Sequence, residues 1–453
     1  MKQVLKMKQV AILWLFLIFL FPSKGYCQEI WSLNDLLNQA LSYSHEIRKS
    51  GLQQEESAYK VKETRANGLP QVDGSLNYSR MGFGGIKLPE GLIESLPEEI
   101  APLLEGLADM DAMHSSSGGL TVSQLLYSKS FLTGMKQAKL AEEMQRVLGK
   151  KTEEDIIQDV STLYYQVLMN YSNLNTLDKN IQHLETLHNV LKLQYENDFV
   201  KKTDVSRLKV SVTNLNTQKE TLKNGIDIQN RVLKILSGIP MDREIMPDTT
   251  AIKGLDSRLA VIAEFVPEVL PEYQILEHQN QLARLQVESA KSAFMPTLAA
   301  FGQLTYTNYN NKLSLKNYYQ TNTVGLQAVV PIFSSGMRKN KVMQSQLRLR
   351  QQEEDFDLAK KQLETGYQNS VHSLHSSWSN LNLQKENKDL AQEVYDQVKL
   401  QFNEGMASLT DLLNVESSLL EADNLYNKQL LNYKLSEIDM LKATGKLKTL
   451  VHP

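Results

Sequence analysis

The sequence predicts an α+β chain made of two internal repeats, with long antiparallel coiled-coil helices joined to two pairs of β-strands. Three observations carry that expectation. One stretch occurs twice, as LQYENDFVKKTDV at residues 193–205 and as LQFNEGMASLTDL at residues 400–412. The apolar residues ahead of its first copy recur every 3.5 positions along a run without proline. Four further segments alternate apolar and polar residues, the period of a strand with one wet face.

Each copy of the repeated stretch has the punctuation of a hairpin turn. A long helix enters, Asp198 or Gly405 stands where a positive φ is easiest, and Thr203-Asp204 or Thr410-Asp411 opens the return helix. In the second copy Ser408 and Asp411 also have capping-box spacing, the hydroxyl serving a free N–H while the carboxylate reaches back.

In chain order, the 453 residues begin with a basic segment (Lys2, Lys6, Lys8) and an apolar run from Val10 to Phe21. The run is too short for a transmembrane helix and reads as a secretory signal, residues 1–27. Cys27 is the only cysteine. Gly25 and Cys27 suit ordinary cleavage before Gln28, and bulky Lys24 and Tyr26 argue against lipidation of Cys27. Cleavage there leaves a mature chain without a thiol. The net charge of −3 excludes the basic footprint of a nucleic-acid binder.

The first repeat spans residues 28–240. Ser32 and Asp35 form a capping box ahead of a helix expected to run to about Asn67, where Gly68 and Pro70 end it. Strands follow at about 70–80 and 119–127. Val72, Gly74, Leu76 and Tyr78 share one face against Asp73, Ser75, Asn77 and Ser79, and Leu120, Val122 and Leu126 continue the pattern. A helical hairpin is expected over about 135–237. Its apolar seam takes ten steps over the 35 residues from Ile156 to Leu191, a 3.5 period that implies a left-handed supercoil against a neighbour. At 1.5 Å per residue the first arm is roughly 90 Å long, more than a compact domain holds.

Residues 241–271 carry four prolines with residue 240 included and read as a connector. The second repeat, 272–448, restarts with a helix, strands at about 296–307 and 323–333, and a hairpin at about 337–444. Each repeat therefore reads helix, strand, strand, long helix, turn, helix.

Four alternating strands of about ten residues have the length of transmembrane β-strands. Four cannot close a barrel, and an open edge in lipid leaves unpaired N–H and C=O groups that cost several kcal/mol each. Copies of the same chain must close it: two give eight strands, three give twelve, and the polar inner face favours the wider, water-filled barrel. The mostly polar helices belong in water.

Two repeats, each with a proline-led strand pair and a hairpin turn of the form Q-[YF]-x-x-[DG]-x-x-x-x-T-D-[VL], resemble the TolC-type outer-membrane efflux proteins over about residues 30–445. The resemblance implies a homotrimer in the outer membrane whose twelve-stranded barrel continues into a periplasmic α-barrel of helices. It implies a passive exit duct for a tripartite efflux pump or type I secretion, working with a periplasmic adaptor and an inner-membrane transporter. It implies a periplasmic gate narrowed by acidic side chains, matched here by Asp411, with Asn414 where the family can carry a second acid. Weaker cation selectivity is expected from that asparagine. Asp411 equally serves as a capping-box residue, and the two roles are compatible. The turn residues Asp198, Phe199, Val200, Lys201, Gly405, Met406, Ala407 and Ser408 match adaptor-contacting tips, while Thr203, Asp204 and Thr410 are structural parts of the turns.

The first strand pair has a longer loop than the second. Its acids Glu90, Glu94, Glu98, Glu99, Glu105, Asp109 and Asp111 face Lys87 alone in sequence, and the family orientation makes it an extracellular acidic collar or a plain solvated loop. His372 and His375 lack a third ligand, so no metal is expected. No phosphate loop or nucleophile motif is found, and neither a cofactor nor an enzymatic activity is expected. A pore-less surface adhesin or an adaptor would also use long helices. Neither explains two matched pairs of alternating strands.

Overall fold

The computed structural model describes residues 29–82, 112–252, 254–255, 260–310 and 316–451, with isolated positions 91, 95, 97 and 100. The signal segment with Cys27 and the loop acids Glu90, Glu94, Glu98, Glu99, Glu105, Asp109 and Asp111 lie outside the described residues. The chain divides into two compact units, each drawing on both repeats: one of residues up to 50, 150–270 and 362–453, the other of residues 51–149 and 271–361.

The first unit starts with β1 (Glu29–Trp31), which pairs in parallel with β4 (Ile245–Pro247) of the connector. Helix α1 (Leu33–Tyr43) opens on the expected capping box: Ser32 Oγ accepts from the Asp35 N–H at 3.2 Å and Asp35 Oδ2 from the Ser32 N–H at 3.1 Å. The helix expected to run on to Asn67 is instead broken at Ser44, whose ψ is 141°. Ser44 Oγ accepts from the Glu46 N–H at 3.3 Å, starting α2 (His45–Ala66) afresh. The break also leaves the Tyr43 carbonyl facing Gly238, where a Cβ would come within 2.5 Å of the Tyr43 oxygen. Only glycine, at φ +66°, fits there.

Helices α3 (Lys129–Glu196) and α4 (Lys202–Ser237) form one hairpin. Their expected seams hold: no residue of the Ile156–Leu191 series is exposed, nor are Val205, Leu208, Val212, Leu215, Leu222, Ile226 and Leu233. The second hairpin is α6 (Met337–Asn403) with α7 (Leu409–Ala443). Where α3, α4, α6 and α7 belong to this unit they share a core of Ile157, Val160, Tyr164, Leu168, Leu233, Leu374, Leu381, Leu430 and Tyr433, which α1 joins through Leu36, Leu37 and Ala40. Burying each such side chain is worth about 1.5–3 kcal/mol.

The second unit carries an antiparallel sheet in the order β2 (Gln71–Gly82), β3 (Ala112–Ser128), β5 (Thr297–Asn310) and β6 (Tyr319–Val329). Its register sorts the side chains by face. Val72, Val122, Gly302 and Val324 form one cross-strand row and Leu76, Gly118, Tyr306 and Gln320 another. On the opposite face the rows read Asp73, Thr121, Gln303, Thr323 and Ser75, Gly119, Thr305, Thr321. One face is mainly apolar and the other polar. All four helix–strand junctions fall at one end of the sheet, where α5 (Pro271–Ser292) is tied to α3 by Lys129–Glu288 at 3.0 Å and Ser130–Ser292 at 2.8 Å.

Three boundaries differ from the sequence reading. β3 starts seven residues before 119, because pairing with both β2 and β5 carries the polar run Ser115–Gly119 into the sheet. α3 starts at Lys129 rather than 135, since Ser128 Oγ accepts from the Phe131 N–H and Gly134, costing about 1 kcal/mol in a helix, does not break it. β6 covers 319–329 rather than 323–333, for Pro331 has no N–H to continue a ladder.

Candidate functional site

The two hairpin turns fold alike. The Asp198 N–H donates to the Tyr195 carbonyl at 3.0 Å and the Phe199 N–H to the Gln194 carbonyl at 2.9 Å. In the second turn the Gly405 N–H donates to the Phe402 carbonyl at 3.0 Å and the Met406 N–H to the Gln401 carbonyl at 2.8 Å. Both are Schellman closures, with Asp198 (φ +62°) and Gly405 (φ +76°) in the left-handed conformation expected at those positions. An aspartate there is strained where a glycine is not. Asp198→Gly is therefore expected to stabilise the first hairpin by roughly 0.5–1 kcal/mol, read from the thermal midpoint. A lower midpoint would mean that the Asp198 side chain does more than turn the chain.

The starts of the return helices differ. Ser408 and Asp411 close a full capping box, Asp411 Oδ2 accepting from the Ser408 hydroxyl at 2.6 Å and from its N–H at 3.1 Å. The Ser408 hydroxyl and then its N–H hold the Asp411 carboxyl below its ordinary range, so an exposed negative charge is fixed at the head of α7. Asn414 is exposed one turn further on. α4 begins at Lys201 with no side-chain cap, so Thr203 and Asp204 are simply its first-turn residues. The hairpins are tied here by Arg207, whose Nη1 donates to Thr410 Oγ1.

Phe199 and Met406 are 81% and 74% exposed at the two turns. Lys201, Gly405 and Ser408 are also exposed. Val200 turns inward instead, against a cluster built on Leu184, Leu191, Leu208 and Leu409. Between the turns lies a cleft of about 570 Å³ lined by Leu187, Val190, Val200, Phe402 and Ala407, with His183 and Asp204 contributing polar groups.

Sequence reasoning missed a buried polar cluster that adjoins that cleft through His183. Glu416 of α7 is buried, with its Oε1 3.2 Å from Nδ1 of His183 on α3, and His183 Nε2 is 3.4 Å from the Tyr395 hydroxyl on α6. Burial pushes the Glu416 carboxyl up to about 7, against a smaller opposing pull from Lys399, and burial lowers His183. A neutral carboxyl can donate to Nδ1 while Nε2–H donates to Tyr395. The signal was present: Glu416 occupies a seam position after Leu409 and Leu412, where an aliphatic side chain is expected.

Similarity to known proteins agrees with this architecture. The outer membrane efflux protein family matches residues 36–238 and 271–446. Outer membrane protein TolC of Escherichia coli strain K12 is 20% identical over 438 residues, covering 92% of this chain and 82% of TolC. Alkaline protease secretion protein AprF of Pseudomonas aeruginosa is 24% identical over 163 residues, 36% of this chain and 34% of AprF. The crystal structure of the Campylobacter jejuni CmeC outer membrane channel superposes with a TM-score of 0.72 at 16% identity, over 91% of this chain and 85% of CmeC. The chain belongs to the outer membrane efflux protein family. It is an outer-membrane channel protein of efflux or secretion, with a large periplasmic portion.

Proposed function

We propose that three copies of this chain close a twelve-stranded barrel and form a passive duct, catalysing no reaction and drawing energy from an adaptor and an inner-membrane transporter. The observation that carries this reading is the sheet. It has one apolar and one polar face, and its outer strands β2 and β6 have no further partner among the described residues. In lipid, each unpaired backbone group costs several kcal/mol, so β2 of one copy pairs with β6 of the next. The polar rows then face a lumen and the apolar rows the bilayer. Native mass of protein extracted from outer membranes in mild detergent tests it: three chains are expected, and a monomer would remove the shared barrel.

The turns are the gate and the docking tips of this duct. Phe199 and Met406, with Asp198, Lys201, Gly405, Ala407 and Ser408, form the surface that meets the adaptor, and Val200 supports it from inside. Three Asp411 carboxylates around the axis attract cations and slow anions, with Asn414 adding no second ring of charge. Asp411→Asn retains a carbonyl oxygen for the Ser408 N–H while removing the charge. Cation-over-anion preference in planar bilayers is expected to fall about two-fold or more, and an unchanged preference would leave Asp411 as a cap alone.

A further inference from the structure

The apolar face of the sheet is not smooth. Two adjoining hollows of about 510 and 560 Å³ share Leu76, Gly118 and Tyr306 and together run along the strands as one trough. Leu120 and Leu304 wall the end nearer the helix junctions, Tyr78 and Tyr318 the other. Leu76 lies across Gly118 so closely that a Cβ there would come within 2.7 Å of its Cδ2, which keeps the floor low. The phenols at the far end are anchored. The Tyr78 hydroxyl is 2.8 Å from His114 Nδ1, and the Tyr318 hydroxyl is 3.2 Å from Ser116 Oγ.

The charges on the strands are few and sorted. Asp73, the one acid of the four strands, lies on the polar face. Arg80, their one arginine, lies on the apolar face, exposed, and pairs in register with His114 just beyond Tyr78. A trough that is hydrocarbon along most of its length thus ends in hydroxyls and a cation, with no strand carboxylate on its face. From Gly74 to Arg80 is about 20 Å of strand, which at a barrel tilt of roughly 45° spans the ~15 Å of one leaflet's hydrocarbon. The leaflet is defined by the chain. No described helix is long and apolar enough to cross a membrane, and every helix junction is at the opposite end of the strands, so Arg80 belongs to the leaflet away from the helices.

We infer that this trough binds an acylated lipid of the outer leaflet whose phosphorylated headgroup is net anionic, one acyl chain lying over Gly118 between Leu120 and Tyr306 and the phosphate held by Arg80 and His114. With the Tyr78 hydroxyl donating to Nδ1, the His114 Nε2–H is left to donate to a phosphate oxygen, beside the guanidinium. The inference rests on the sheet spanning the membrane.

The test uses full-length protein extracted in mild detergent, exchanged free of lipid, and titrated by native mass spectrometry with deep-rough lipopolysaccharide or with zwitterionic phosphatidylethanolamine. One lipopolysaccharide per chain is expected to persist at collision energies that strip phosphatidylethanolamine. The double variant Arg80→Gln, His114→Gln is expected to lose that occupancy at least ten-fold while keeping the oligomeric mass of the wild type. Equal retention by the variant, or equal retention of the zwitterionic lipid, would overturn the site and leave the membrane reading intact. A wild-type protein that is absent from outer membranes or carries no detergent belt would overturn that reading and the site with it.

Discussion

Aspartates at Ile228 and Ile235 of α4 are expected to convert the proposed trimer into monomers. In the isolated chain these residues are 61% and 54% exposed, and with Val232 between them they form a second apolar stripe at spacings of four and three, separate from the buried seam of the same helix. On α6, Leu383 and Leu390 stand 59% and 54% exposed, seven residues apart. Helices with one seam filled and another bare are built to be flanked on both sides. Covering an isoleucine is worth about 1.5–3 kcal/mol, and an unpaired carboxylate in its place adds a desolvation cost of several kcal/mol. Repeated around three interfaces, two such changes exceed what assembly can absorb. Both positions face outward within the chain, so the helical circular-dichroism signal is expected to persist while native mass falls to one chain. A trimer that survives would place the assembly face elsewhere.

The second large effect is a dependence on pH set by Glu416. A carboxyl with a raised value in the folded chain takes up a proton on folding, so the state that binds more protons is the native one and stability falls as pH rises. Its contribution is complete below the ordinary 4.5 and is lost as pH climbs to about 7, where the buried side chain must ionise beside an imidazole kept neutral by its own burial. That shift corresponds to something on the order of 3 kcal/mol. His183 acts in the opposite sense: its value is lowered, so its contribution is present above 6.5 and is lost as pH falls through its folded value. Since Glu416 has an oxygen without a hydrogen-bond partner while His183 is about one-third exposed, the carboxyl dominates. Between pH 5 and 7.5 the protection factors of amides near Leu184 and Leu412, with the intrinsic pH dependence of exchange divided out, are expected to fall in the wild type. Glu416→Gln, neutral throughout and still able to donate to Nδ1, is expected to flatten that dependence. The same loss of protection in the variant would move the titrating group elsewhere.

What was legible in the sequence is what local rules determine. The 3.5-residue seams, the left-handed turn positions 198 and 405, the Ser32 and Ser408 capping boxes and the alternating strands each rest on residues within one or two turns of one another. What escaped needed partners far along the chain. β1 and β4 have three residues each, too few for alternation to register, and exist because they pair with one another. The polar start of β3 is a strand only because strands flank it on both sides. Helix α1 stops at Ser44 where Tyr43 meets Gly238, nearly two hundred residues on. His183, Tyr395 and Glu416 come from three helices, so no local pattern could join them, although a glutamate in an aliphatic seam marked one corner. Val200 was grouped with the exposed tip by its position in the turn, yet its side chain is part of the packing beneath.

The two turns share a backbone and differ at the head of the return helix: Ser408 and Asp411 cap the start of α7, while α4 begins on Lys201 without a side-chain cap. In the proposed trimer, three such chains would make a circle of six tips in which capped and uncapped ones alternate. A duplicated fold would otherwise give six equivalent fingers. In that assembly three tips would carry a capped helix start and three would not, so a widening of the mouth would be expected to begin at the uncapped three, and the difference lies in a pair of side chains that only one turn carries.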